Sequence, residues 1–281
     1  MTFGGRIFAA IACVIAMFGI AGCVTVDRNA HADALGARAH LQRETLRTGM
    51  FALTAYSRIT RNDAPIHVYI EGDGFAWVSR SEPSLDPTPR EATALALAAA
   101  DSSPNVVYLA RPCQFTPMAD NPRCDMRYWT GARFSPDVVA SMNEAMDAIA
   151  SRAPGRGVDV IGYSGGGAIA VLLAARRRDV RSLRTVAGNL GSEYVNRIHD
   201  VSPMPASLDP IDAAASLGEL PQLHFTSDAD RVVPPAVAQR FAGAAGTRCA
   251  RVRVVADIAH DGDWARAWPA LLRIPVTCNG D

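Results

Sequence analysis

The chain contains no lysine: all 28 of its basic residues are arginines, and 28 acidic residues balance them to a net charge of zero. Without a surplus of positive charge there is no electrostatic footprint for nucleic acid or another polyanion, and no such partner is expected. Metal-ligand spacing is missing as well. The six cysteines include no C-x-x-C pair and no Cys/His cluster, which argues against structural zinc, and no metal or other cofactor is expected. Internal repeats and low-complexity tracts are absent, which excludes solenoids and long coiled coils. No run of apolar residues reaches the roughly 20 that a membrane-spanning helix requires.

The longest apolar run, IFAAIACVIAMFGI at residues 7–20, follows a single arginine, Arg6, close to the N-terminus. Its length and position suit the hydrophobic region of a signal peptide. It leads into Ile20-Ala21-Gly22-Cys23, which resembles the bacterial lipobox. That resemblance implies removal of residues 1–22, diacylglycerol on Cys23, and a mature chain exported to the bacterial cell envelope and held on a membrane by its lipidated first residue. An ordinary secretory signal with Cys23 incidental is the alternative.

With 281 residues and 49% hydrophobic side chains, the chain can bury one sizeable core in one domain. Residues 23–48 are rich in Ala, Arg and His without strong apolar periodicity and read as a tether, partly helical at most. From there to residue 281, short runs rich in Val, Ile and Tyr alternate with longer Ala- and Leu-rich segments. Strands are expected at 50–59, 66–70, 106–110, 158–163, 183–187, 222–226 and 252–256, and helices at 90–100, 136–150, 166–177, 235–244 and 261–272. Arg176, Arg177 and Arg178 stand where positive charge suits a helix C-terminus. Such alternation predicts an α/β architecture, a mainly parallel, doubly wound sheet with helices on both faces.

The most informative stretch is Val158-Asp159-Val160-Ile161-Gly162-Tyr163-Ser164-Gly165-Gly166-Gly167. It contains G-x-S-x-G, a common pattern by itself, but here it follows a buried strand and opens an apolar helix, the context that gives it meaning. A serine hydroxyl is a poor nucleophile until a base removes its proton, and a sharp strand-to-helix turn presents it at the sheet edge. The helix N-terminus adds free N–H groups and positive potential for a developing oxyanion.

On these residues, the chain from about 66 to its C-terminus resembles the α/β hydrolases, as a single catalytic domain without a large cap. The resemblance implies an acid after a later strand and a histidine later still. His224 to Pro235, reading HFTSDADRVVPP, is similar to the family's acid loop, with Asp230 as the match and Asp228 as the nearest rival. Asp257-Ile258-Ala259-His260-Asp261-Gly262 is similar to its histidine loop. Ser164, Asp230 and His260 stand in the order the fold uses. His224 reads better as a strand-end residue, and His199, in a polar loop, would need a different chain order. The segment Tyr69-Ile70-Glu71-Gly72-Asp73-Gly74 matches the loop that supplies an oxyanion donor, although Glu71 stands where the family often has His. The backbone N–H groups of Asp73 and Gly165 are the expected pair.

Once Cys13 and Cys23 are set aside, Cys113, Cys124, Cys249 and Cys278 remain, an even number that suits an oxidising compartment. Of three connectivities, Cys113–Cys124 would close a short loop and Cys249–Cys278 would fasten the tail to the start of the last strand. Residues 188–220 hold a Pro-containing connection long enough for a small lid. The expected activity is cleavage of an ester or thioester, from a small molecule or a lipid. A catalytically silent binding platform on the same fold, or a serine peptidase, is the alternative.

Overall fold

The computed structural model describes residues 27–278. Residues 1–22, expected as a signal peptide, and Cys23, expected to carry lipid, lie outside the described residues. Eight strands form one sheet: β1 (Gln42–Arg47), β2 (Ala52–Ile59), β3 (Ile66–Ile70), β4 (Asn105–Leu109), β5 (Val158–Tyr163), β6 (Val180–Val186), β7 (Gln222–Ser227) and β8 (Ala250–Val255). Their order is β1-β2-β4-β3-β5-β6-β7-β8. β2 runs antiparallel to both β1 and β4, and all the other pairs are parallel.

The helices are α1 (Arg28–Arg38), α2 (Thr93–Ala99), α3 (Pro136–Ala150), α4 (Gly165–Ala174), α5 (Ser192–Ile198), α6 (Pro235–Ala245) and α7 (Trp264–Leu272). Strand alternation divides the core in two. Ile66, Val68 and Ile70 of β3 pack with Val138 and Met142 of α3, Ile169 and Leu173 of α4, and Phe241 of α6. Tyr69, on the opposite side of the same strand, packs with Leu95 of α2 and with Trp264 and Trp268 of α7. Both faces are therefore covered, which is why the central strands β4, β3 and β5 are mostly apolar.

The tether expected at residues 23–48 does not hold over its described part. Asp27 caps α1, accepting hydrogen bonds from the Asn29 and Ala30 N–H groups, and β1 pairs with β2 along its whole length. Neither element announces itself in sequence because each buries little. Leu46 is the one buried residue of β1, as expected for a charged edge strand. On α1 only Ala32 and Gly36 are buried. A Cβ at Gly36 would lie 2.8 Å from the Tyr56 ring, so the missing side chain lets the helix press on the sheet.

Residues 188–220 form no lid. They hold α5 and a 3-10 stretch, Pro210–Leu217, whose Ala214 and Leu217 are buried in the core beside α4 and α6. Both expected disulfides are present, Cys113–Cys124 and Cys249–Cys278. No helix among the described residues is long and apolar enough to cross a membrane.

Candidate active site

Ser164 stands between the end of β5 and the first residue of α4, with φ 50° and ψ −121°. A left-handed φ at a residue with a side chain is strained by about 1–3 kcal/mol and persists only where its surroundings enforce it. Those surroundings are specific. The Ser164 N–H donates to the Val186 carbonyl, and the Ser164 carbonyl accepts from the Gly167 and Asn189 N–H groups. A Cβ at Gly166 would overlap the Ile70 carbonyl, so glycine is what allows this turn to sit against β3.

His260 reaches Ser164 from the loop after β8, its Nε2 lying 2.9 Å from Ser164 Oγ. Its Nδ1 lies 2.8 Å from Asp230 Oδ2, in the loop after β7. Asp230 is buried, and its other oxygen accepts N–H bonds from Val232 at 2.9 Å and Val233 at 2.7 Å, which fixes the carboxylate plane. The histidine is anchored from behind: the Tyr163 hydroxyl and the Trp264 indole N–H both donate to the His260 carbonyl, at 2.9 and 3.2 Å. The geometry thus selects Asp230 over Asp228. Asp228 is exposed and accepts the Asp257 N–H at 2.9 Å, holding the histidine loop rather than the histidine.

The other expected pair also meets here. Asp73, just beyond β3, and Gly165 abut so closely that a Cβ on Gly165 would overlap the Asp73 carboxylate. Ser164, His260, Asp73 and Tyr163 line one cleft of about 440 Å³, together with Phe75 and Arg90. A larger cavity, of about 740 Å³, lies among α4, α5 and residues 201–213 and contains none of the residues of this constellation.

Three further residues hold the Asp73 loop; in the sequence Arg111 and Arg133 read equally well as substrate contacts or as surface charge, and Gln114 carries no signal. Buried Arg111 donates to Asp73 Oδ1 at 3.3 Å and also to the Arg133 carbonyl. Arg133 Nε lies 3.1 Å from Asp73 Oδ2, in ion-pair contact without hydrogen-bond alignment. Burial lowers the Arg111 pKa to about 10; Asp73 opposes this shift and Arg133 adds to it. Gln114 Nε2 donates to the Gly72 carbonyl at 3.0 Å. Arg111 and Gln114 flank Cys113, so the Cys113–Cys124 disulfide fastens the segment that carries both. Glu71 is fully buried behind the loop, where desolvation pushes its carboxyl up to about 7 against the pull of the Gly72 and Ala94 N–H groups.

The remaining histidines stand apart from this chain of hydrogen bonds. His224 lies inside β7 rather than at a strand end; it is wholly buried, 2.9 Å from Thr185 Oγ1, and desolvation lowers it to about 3. His199 meets the Val232 carbonyl at 2.7 Å. No three His, Cys, Asp or Glu side chains among the described residues converge as metal ligands.

A strained serine at a strand-to-helix turn, with histidine and aspartate on the two loops that follow later parallel strands, occupies the C-terminal edge of the sheet. Solved structures with this arrangement of strands and helices match the chain over most of its length. The fold is that of the α/β hydrolases. A candidate lipase from Acinetobacter baumannii AYE superposes with a TM-score of 0.61 at 12% identity, over 90% of this chain and 96% of its own. Est1E from Butyrivibrio proteoclasticus gives 0.55 at 13% identity, over 82% of this chain and 97% of its own. A lidless α/β serine hydrolase from Xanthomonas campestris gives 0.51 at 16% identity, over 82% and 93%. Identities this low establish the fold, while chemistry must be argued from the site. No protein-family model matches the chain, and no curated protein matches its sequence.

Proposed function

We propose that the protein is a serine hydrolase that cleaves a carboxylic ester or thioester through an acyl-enzyme. The observation that carries this reading is the continuous chain Ser164 Oγ to His260 Nε2 at 2.9 Å and His260 Nδ1 to Asp230 Oδ2 at 2.8 Å, built on a serine with φ 50°. In this mechanism His260 takes the hydroxyl proton as Ser164 Oγ attacks the carbonyl, and Asp230 holds the imidazole tautomer and balances the imidazolium that forms. The C–O or C–S bond then breaks, His260 gives its proton to the leaving alcohol or thiol, and the acyl group stays on Ser164. Water repeats the attack with His260 again as base, releasing the acid and restoring the serine. The N–H groups of Asp73 and Gly165 are assigned to the oxyanion, each worth about 100- to 1000-fold in rate.

The similarity to Est1E, one of whose structures holds ferulic acid, and to a candidate lipase is consistent with ester substrates. The lipobox-like Ile20-Ala21-Gly22-Cys23 supports export and lipidation at Cys23. The decisive experiment is covalent capture by a fluorophosphonate together with turnover of an activated ester. Ser164→Ala should lose both while circular dichroism stays unchanged; retained turnover in that variant would sink the mechanism. Palmitate labelling that survives Cys23→Ser would refute the anchor.

A further inference from the structure

Where the chain enters the described fold is unexpected for a simple tether. Arg28, one residue after Asp27, donates to the Thr88 carbonyl at 2.8 Å, and its guanidinium lies 5.1 Å from the centre of the Phe75 ring. Arg90 stacks on the same ring at 3.9 Å. Phe75 and Arg90 line the cleft that contains Ser164 and His260. The start of α1 is therefore fixed to the rim of the candidate active site, and Cys23 stands only four residues before Asp27. Four extended residues reach at most about 14 Å.

The rim at this point is unusually apolar for exposed loop. Trp77, Val78 and Leu85 are 42%, 54% and 82% exposed, in an excursion that closes where the Phe75 N–H donates to the Pro87 carbonyl at 3.0 Å and is pinched by a bridge between Trp77 and Pro83. Arg80, at its tip, donates to the His199 carbonyl at 3.3 Å, and His199 meets the Val232 carbonyl of the Asp230 loop. Beside these contacts in the chain, Ile198, Val201 and Val232 are also apolar and exposed, at 41%, 46% and 49%. Tryptophan and arginine on a protein surface suit the headgroup boundary of a bilayer, where an apolar body and a polar edge are both accommodated.

We infer that the mouth of the active site docks on the membrane that holds the Cys23 lipid, with Trp77, Val78 and Leu85 entering the headgroup boundary, and that the ester it cleaves is drawn from that bilayer. The inference rests on the esterase and anchor readings above. One lipidated residue restrains distance, while the rim sets orientation: a short leash attached beside the cleft holds the apolar excursion against the bilayer, so the second contact forms at high effective concentration.

The test uses the full acylated chain reconstituted in phosphatidylethanolamine and phosphatidylglycerol vesicles, with and without bromine on the acyl chains. Trp129, Trp264 and Trp268 are buried, so bromine quenching should act on Trp77 and disappear in Trp77→Phe. In Val78→Ser/Leu85→Ser, hydrolysis of a vesicle-borne long-chain ester should fall about tenfold or more, the loss expected from two apolar side chains withdrawn from lipid. Turnover of a soluble short-chain ester should be unchanged. Equal quenching in the parent and in Trp77→Phe, or a vesicle-borne rate insensitive to the double substitution while the soluble rate persists, would overturn the inference. Hydrolysis of neither ester with Trp77-specific quenching intact would refute the esterase reading and uphold the docking surface. Loss of palmitate from the purified chain with that quenching intact would refute the anchor alone.

Discussion

Glu71 offers a test of the site's electrostatics that does not require knowing the substrate. It follows β3, is wholly buried, and accepts N–H bonds through Oε1 from Gly72 at 2.9 Å and Ala94 at 3.3 Å, with the Tyr108 hydroxyl also near its carboxyl. Its carboxyl is raised from an ordinary 4.5 to about 7, chiefly by desolvation. Below the ordinary value the folded and unfolded states both hold the proton, and the contribution of the neutral acid to stability is fully present. As the pH rises, the unfolded chain releases its proton first, so that contribution is lost progressively and is gone once the pH passes about 7. The gap corresponds to about 3 kcal/mol. Glu71→Gln keeps an acceptor oxygen for Gly72 and Ala94 and carries no charge at any pH. Urea unfolding of both proteins between about pH 4 and about pH 8.5 should therefore show the variant gaining on the parent by about 3 kcal/mol across the series, with most of the change between the two pKa values. Taking the difference cancels every other titration common to both chains. A difference that stays constant across this range would mean that Glu71 is ionised at little cost, and the argument from burial would fail.

Three other outcomes follow from the geometry. Asp230→Asn should lower ester turnover by about 10⁴-fold if, as in the serine-protease precedent, the wrong imidazole tautomer is stabilised. Asp228→Asn, which alters only the support of the histidine loop, should cost far less, and the reverse order in steady-state assays would move the acid by two positions. Asp73→Asn leaves Arg111 and Arg133 facing each other without their shared carboxylate, so denaturant unfolding should register a loss of about 3 kcal/mol; an unchanged midpoint would show that the clamp contributes nothing. Replacing Cys249 and Cys278 together by serine releases a cross-link between residues 29 apart, which the chain-entropy model values at about 3–4 kcal/mol, measurable as a lowered Tm.

The pattern of apolar runs determined the interior of this protein, because a strand covered on both faces has to be apolar almost throughout and Val158–Tyr163 reads that way without any partner in view. G-x-S-x-G marked the serine for a related reason: a turn this tight leaves no room for side chains, and glycine spacing is visible in one dimension. What alternation cannot reveal is an element that buries almost nothing of itself. α1 and β1 escaped notice because an edge strand is solvated on one side and a small-residue helix packs through its backbone. Likeness to the acid loop favoured Asp230 over Asp228 in the sequence, but the physical difference between them is tertiary, since both lie on the same short loop and one carboxylate turns inward to His260 while the other turns outward to the Asp257 N–H. The Arg111–Asp73–Arg133 clamp was beyond the sequence for the same reason. Its members come from three separate segments, and a contact between distant residues leaves no local trace in the chain. The approach of α1 to the rim of the Ser164 cleft is likewise set by packing, through the Arg28 side chain against Phe75 and Thr88.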